Sequence, residues 1–454
     1  MKKLLSLALS LLVLAGTVGC SSNQPTDDGG KGEKEEITGT VTLKIAHNMD
    51  FVTIPDAVVE AGNRLNERYA AEGRDLVIEF EKDYRTIDWT EYHNNIVFSH
   101  KTDDAPDIFS TSGDIVGMVD AGIVTDLSPL VTDKFVDGIF APYTVNGKPY
   151  GMPFDMPVRV VYFNKKALAD YGWALEDIEA LPEKAASGEF TFEEFIELST
   201  ELKDAGIVDW GLAHRPGVGG DFLDILNVFG GEYYNEDGKL IFDEEGVKRF
   251  FEFIYNSANV TNITPKDLNQ QGWTSINTMV GDGSAFAYYG PMYSCVYVAG
   301  AVDKSPAELV EDVAFMVFPK SDYNETPFVT SSPQGMSISS QTKYPEICMD
   351  LFEELANDSN DMLAYHASEI FTLSSVKEAN TNEYITSNPV LKEVTYMTDY
   401  AQVLPAIDGI SVYESELHKQ IVLLELGQTT PDDATKEMKT QMELNVDADK
   451  IDFK

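Results

Sequence analysis

The sequence predicts an α/β protein of two lobes, with mixed or parallel sheets flanked by helices. Three observations carry that expectation. Short β-branched runs alternate with longer stretches of helical periodicity in the first part of the chain, the pattern of a parallel sheet covered on both faces. The chain has 454 residues, more than one hydrophobic core usually supports, so two lobes are expected. Beyond the N-terminal leader no apolar run approaches the roughly 20 residues of a membrane-spanning helix. Everything from about Thr38 onward is therefore expected to be soluble.

The elements follow in order. Residues 41–46 alternate and are rich in β-branched side chains, which predicts a strand, and 57–71 carry apolar residues at helical spacing. Residues 76–80 predict a second strand, 91–99 a helix, and 107–109, introduced by Ala105-Pro106, a third short buried strand. In such sheets ligands sit beyond the carboxyl ends of the strands. Here those ends read His47-Asn48-Met49-Asp50 and Ser110-Thr111-Ser112-Gly113-Asp114, short and polar as binding loops are. A second region opens after the turn Asn146-Gly147-Lys148-Pro149 with a strand at 158–163. Helices are predicted at 191–205, where Thr191 and Glu194 make a capping box, at 222–229 and at 244–257. Strands follow at 313–318 and 336–339, then a helical tail at 344–357, 361–367, 413–426 and 431–445.

The N-terminus reads as an export signal. Lys2 and Lys3 precede a short apolar run, and small residues precede Cys20. Thr17-Val18-Gly19-Cys20 resembles a bacterial lipobox, with Thr17 where leucine is usual, so residues 1–19 are the expected signal peptide and Cys20 the expected lipidation site. Residues 20–37 then form the lipidated cysteine and a Ser-, Gly-, Asp- and Lys-rich tether, too polar to bury a core. Lys and Arg number 33 against 76 Asp and Glu, a net charge of −43. Such a surface repels nucleic acid and anionic lipid, which argues against a phosphate-binding groove.

Nothing in the sequence marks a catalytic, metal or cofactor site. Cys295 and Cys348 sit in no CxxC pair and no His-rich motif, and read as two buried thiols rather than a bridge. Asn235-Glu236-Asp237-Gly238-Lys239 lacks the spaced ligands of a calcium loop and reads as a hairpin turn. GxSxG, HExxH, P-loop and GxGxxG patterns are absent, the cluster Gly217-Val218-Gly219-Gly220 reads as a turn, and the six histidines are scattered. A glycosidase needs only two carboxylates, so 76 acids leave that alternative open.

Several separated signatures agree with one another. Ala105-Pro106-Asp107-Ile108 is followed by Ala121-Gly122-Ile123-Val124-Thr125-Asp126-Leu127, and residues 146–153 lead into Tyr162-Phe163-Asn164-Lys165. Gly281-Asp282-Gly283-Ser284-Ala285-Phe286 with Gly290-Pro291 comes next, then Gly335-Met336-Ser337-Ile338-Ser339 with Pro345 and Phe352, and finally Leu426-Gly427-Gln428 with Asp432-Asp433-Ala434. In order and spacing these resemble the family 1 extracellular solute-binding proteins of ABC importers. The resemblance implies a two-lobe, type II periplasmic-binding-protein-like fold, with mixed or parallel sheets flanked by helices and a ligand cleft between the lobes. It implies lobe 1 from 38–154 plus 316–340 and lobe 2 from 158–314 plus 345–454, with crossings near 154–158, 315–319 and 339–344. Closure around ligand is then a population shift driven by better contacts in the closed state. It further implies a monomer lipid-anchored outside the cytoplasmic membrane, with a small solute, a permease and an ATPase as partners.

Carried over position by position, the resemblance puts Asp50, Asp114 and Asp155 in the cleft, where carboxylates accept hydrogen bonds from sugar hydroxyls and aromatic rings stack on sugar faces. For Asp50 and Asp114 the competing reading is turn and cap chemistry. The aromatic side departs from the maltodextrin-type pattern, because Met292 and Tyr293 follow Gly290-Pro291 where a stacking tryptophan is common. Tyr289, Asp221, Phe222, Tyr413, Trp89 and Trp273 complete the candidate ligand-binding set, with core packing the competing reading for both tryptophans. The expected ligand is a carbohydrate. A peptide, polyamine or other cation drawn by the acidic groups is the alternative, and a glycan-acting enzyme a more distant one.

Overall fold

The computed structural model describes residues 37–48, 51–111, 115–235, 238–357 and 361–454. Strand Gly39–Asn48 lies at the heart of the first sheet, parallel to Leu76–Arg85 on one side and to Ile108–Thr111 on the other. Its alternating Val41, Leu43 and Ile45 are buried, and Val58, Ala61 and Leu65 of helix Thr53–Glu72 belong to the same core. That helix ends where Gly73 takes φ 75°, a conformation glycine adopts without steric cost, and its N–H caps the carbonyls of Ala70 and Tyr69. Gly335–Ile338 adds antiparallel to Ile108–Thr111, and Met152–Pro153 to its far edge, completing five strands.

The second sheet is built around Val158–Asn164. This strand pairs antiparallel with Ala285–Pro291, Val313–Met316 and Val329–Ser331. Trp210–Ala213 and Ala401–Val403 add in parallel at the two edges. The mostly parallel sheet expected from the first part of the chain is confined to the three leading strands of the first sheet, whose other two pairings are antiparallel, and the second sheet is mixed as well. A strand reading VRVVYFN is buried on both faces, and such a run does not disclose the direction of its neighbours.

The predicted elements recur with small shifts at their ends. Phe192–Asp204 carries the capping box, Thr191 N–H donating to Glu194 Oε2 at 2.8 Å and Glu194 N–H to Thr191 Oγ1 at 3.3 Å. Pro431–Asn445 occupies the predicted span. Asn235 and Lys239 close a hairpin turn, with Asn235 N–H bonded to the Lys239 carbonyl at 2.9 Å. Cys295 and Cys348 are buried free thiols, and burial pushes Cys348 up to about 12. No helix among the described residues is long and apolar enough to cross a membrane.

The chain passes from the first sheet to the second between Pro153 and Val158, and returns between Ser331 and Gly335. The family resemblance puts the return near 315–319, but Val329–Ser331 still pairs within the second sheet. It also puts residues 345–454 as one block in the second lobe. Helices Pro345–Asn357 and Met362–Glu369 instead pack on Thr53–Glu72 of the first, with Arg68 Nη1 2.8 Å from Glu354 Oε2 and Tyr69 donating to Asp350 Oδ2 at 3.0 Å. Ile410–Glu425 and Pro431–Asn445 do pack on Glu244–Asn259 of the second. An amphipathic pattern announces a buried face without saying against which lobe it is buried.

Candidate functional site

A cleft of about 230 Å³ opens where the ends of the two sheets meet. Its first wall comes from His47 at the carboxyl end of Gly39–Asn48, Ser110 and Thr111 at the end of Ile108–Thr111, Ile54, and Trp89 at the start of helix Trp89–Lys101. Arg159, Pro291 and Tyr293 form the second wall. Pro157 and the returning segment with Ser332, Gln334 and Gly335 complete it, so residues next to two crossings take part in the site. Phe51 and Tyr297 approach across the two lobes with ring centroids 6.5 Å apart.

The first wall is held by a local network. His47 Nε2 is 2.9 Å from the Phe51 carbonyl oxygen, and burial, with the nearby His366, lowers the His47 pKa to about 4. Ser110 Oγ accepts the Asn48 N–H at 3.1 Å and donates to Tyr92 OH at 3.2 Å. Trp89 stands edge-on to Tyr92, centroids 5.6 Å apart at 89°.

Arg159 anchors the second wall. Its Nε lies 3.1 Å from Asp221 Oδ1, while its Nη1 donates to Thr330 Oγ1 at 2.8 Å and its Nη2 to Ser332 Oγ at 3.0 Å. Arg215 shares Asp221 from the other side at 3.2 Å and lies over the Trp273 ring at 5.6 Å. Burial raises Asp224 to about 7 against the pull of Arg159, and raises Glu414 as well. The glycines read from sequence as a turn also make room for this cluster. A Cβ on Gly220 would stand 2.7 Å from Arg159 Nη2, and one on Gly219 2.1 Å from Arg215 Nη1.

The structure places the predicted residues unevenly. Trp89 and Tyr293 line the cleft together, and Asp221 lies directly behind Arg159, 1% exposed. Asp155 is fully buried and is not part of the lining. Its Oδ1 accepts the Gln334 N–H at 2.7 Å, and its Oδ2 lies 3.4 Å from His366 Nε2, so the carboxylate is spent on the crossing rather than offered to ligand. Phe222, Tyr289, Met292 and Tyr413 are core residues, each 2% exposed or less. Trp273 is 45% exposed beneath Arg215 and outside the lining. Asp50, Asp114 and Cys20 lie outside the described residues. His47, Ser110 and Thr111 belong to the polar strand ends that the sequence marks, but no motif sets them apart from their neighbours there. Arg159 is legible only as a lone charge in an apolar strand, and Ser332 and Gln334 give no signal.

Two sheets joined by crossings, with an aromatic-flanked polar cleft at their junction, define a two-lobe binding protein. The sequence profile described as bacterial extracellular solute-binding protein matches residues 66–362, well over half of the chain. The chain belongs to that family. An arabinooligosaccharide-binding protein of Halalkalibacterium halodurans is 21% identical over 296 residues, covering 61% of this chain and 61% of that protein, less than two thirds of its length. The maltodextrin-binding protein MdxE of Bacillus subtilis is 24% identical over 349 residues, covering 74% and 77%. Among solved structures, a cyclo/maltodextrin-binding protein complexed with maltotetraose superimposes with a TM-score of 0.70 at 16% identity, covering 91% of this chain and 99% of that one. Maltose-bound MalE3 of T. maritima gives 0.67 at 17% identity, covering 89% and 100%. At these identities the structural likeness speaks for the fold.

Proposed function

We propose that this chain captures a neutral sugar or oligosaccharide outside the cell and delivers it to the permease of an ABC importer, without chemical conversion of the ligand. The observation that carries the reading is the pairing of Trp89 and Tyr293 on opposite walls of a cleft whose lining also includes the hydrogen-bonding side chains of His47, Ser110, Thr111, Arg159, Ser332 and Gln334. Sugar rings offer apolar faces to aromatics and hydroxyls to polar groups, and this lining serves both. The relatives named for arabinooligosaccharide and maltodextrin binding point to the same ligand class. Cys20, as a lipid anchor, and the polar segment after it would keep the body near the importer and raise its effective concentration there.

A thermal-shift screen against maltotriose, maltotetraose, arabinotriose and lactose tests this, with spermidine and a tripeptide as the competing classes. A true ligand at 100 times its Kd stabilises by about 2.7 kcal/mol. Stabilisation by spermidine or the peptide alone would sink the carbohydrate reading. Release of shorter products from a stabilising glycan would sink the reading as a pure binding protein.

A further inference from the structure

The cleft carries two buried acceptor atoms that the protein leaves unused, and a role for them toward ligand rests on the carbohydrate reading. His47 Nε2 faces the Phe51 carbonyl oxygen at 2.9 Å. A carbonyl only accepts, so Nε2 carries the ring hydrogen and Nδ1 keeps its lone pair. That Nδ1 is buried and has no hydrogen-bond partner among the described residues. Gln334 has its backbone fixed from both sides, its N–H donating to Asp155 Oδ1 at 2.7 Å and its carbonyl accepting the Phe154 N–H at 2.8 Å. Its side-chain Oε1 is likewise buried and unpartnered. Both residues line the cleft, one from the first sheet and one from the returning crossing.

Leaving an acceptor buried without a donor costs about 1–3 kcal/mol, so such atoms persist in native folds mainly where water or a ligand serves them. Arg159 directs Nη1 to Thr330 and Nη2 to Ser332, with its Nε 3.1 Å from Asp221, and none of its N–H groups reaches His47 Nδ1 or Gln334 Oε1. These two acceptors are therefore open to hydrogens that a ligand brings. Arg159 is also the permanently charged side chain among the described lining residues, so an ammonium ligand would meet no carboxylate on that surface. Hydroxyl groups satisfy both conditions. We propose that His47 Nδ1 and Gln334 Oε1 contact the ligand directly and accept hydrogen bonds from hydroxyl groups of the bound saccharide. The low pKa of His47 keeps Nδ1 free to accept at neutral pH.

Calorimetric titration of the full chain with maltotriose, or with arabinotriose should that give the larger thermal shift, tests the assignment. His47→Gln keeps an N–H for the Phe51 carbonyl and removes the ring acceptor, whereas His47→Asn puts a carbonyl oxygen near the Nδ1 position. Gln334→Met preserves shape without an acceptor. The expected result is a Kd about five- to tenfold weaker for His47→Gln and for Gln334→Met, and within about twofold of wild type for His47→Asn. A monodeoxy trisaccharide lacking the donated hydroxyl should bind wild type and His47→Gln equally, an outcome that a merely structural role for His47 would not produce. If the free His47→Gln protein melts well below wild type, Gln334→Met decides alone. Wild-type affinity in both acceptor-lacking variants overturns this assignment and leaves the carbohydrate reading intact. No titratable heat for either trisaccharide in wild type, with none in the wider screen, overturns the carbohydrate reading and this inference with it.

Discussion

Arg159 Nε lies 3.1 Å from Asp221 Oδ1, with side-chain exposures of 14% and 1%, and this buried pair ties the wall of the cleft to helix Asp221–Val228. Asp221 also serves Arg215, and Asp224 lies 3.7 Å from Arg159. A buried ion pair is a poor net stabiliser compared with apolar packing, yet removing one partner strands the other. Asp221→Ala would leave two guanidinium groups with only Asp224 and Glu414 nearby, both pushed toward protonation by burial. Urea unfolding should show a loss of about 3–5 kcal/mol. A loss below about 1 kcal/mol would mean that water or Glu414 replaces the carboxylate at little cost.

Asp155 is the corresponding link at the crossings. One oxygen holds the Gln334 N–H, the other faces His366 on helix Met362–Glu369, and His366 Nδ1 is in turn 2.6 Å from Thr53 Oγ1. Asp155→Ala leaves a buried N–H unpaired and should cost about 1–3 kcal/mol, with Asp155→Asn nearer the lower figure because it keeps an acceptor. Since the carboxylate is absent from the cleft lining, ligand contacts should survive. The change expected in small-angle scattering is a smaller ligand-induced compaction in Asp155→Ala. Complete loss of binding in a folded Asp155→Asn protein would return this residue to the ligand.

Asp155 also shows where sequence reading stops. Its position at a crossing is legible, but its partner His366 is 211 residues away, and only three-dimensional packing decides that the carboxylate turns inward. The same limit applies to Tyr289, Met292, Phe222 and Tyr413. A large apolar side chain near a cleft and one beneath it read alike, because both gain by leaving water. Legibility depends on local physics: the alternation in Gly39–Asn48, the capping box at Thr191, and the helical spacing of Pro431–Asn445. The return crossing escapes a sequence reading because Ser332-Pro333-Gln334 carries no periodicity, yet that segment supplies part of the cleft.

The titration of His47 makes stability depend on pH in a defined direction. Its pKa falls from 6.5 to about 4 on folding, chiefly through burial, with His366 opposing its charge and the Phe51 carbonyl and Asp56 favouring it. Between those values the unfolded chain holds a proton that the folded chain refuses, so the stability from this group is complete above pH 6.5 and is lost as pH falls toward 4. A shift of that size corresponds to about 3 kcal/mol. Asp224 acts oppositely, since its raised pKa favours the folded chain at low pH and that benefit is lost as pH rises from 3.8 to about 7. Urea unfolding at pH 4.5 and 7.5 should therefore show a shallower acid-side loss in His47→Asn and a steeper one in Asp224→Asn. Parallel profiles for wild type and His47→Asn would place the acid sensitivity elsewhere.

Trp89 and Tyr293 stand on opposite walls of one cleft, so both rings are placed to meet a sugar seated in it. The edge-on packing of Trp89 against Tyr92 fixes the indole before ligand arrives, which limits the entropy lost on binding. Replacing either ring by alanine should weaken saccharide affinity about tenfold, roughly 1.4 kcal/mol, and Trp89→Phe should cost less because a π-face remains. The four tryptophans give a direct optical readout. Saccharide should change the intrinsic fluorescence of wild type and of Trp273→Phe, since Trp273 lies outside the lining, and should leave Trp89→Phe nearly silent. A signal that survives in Trp89→Phe and disappears in Trp273→Phe would move the ligand away from this cleft and toward the exposed ring beneath Arg215.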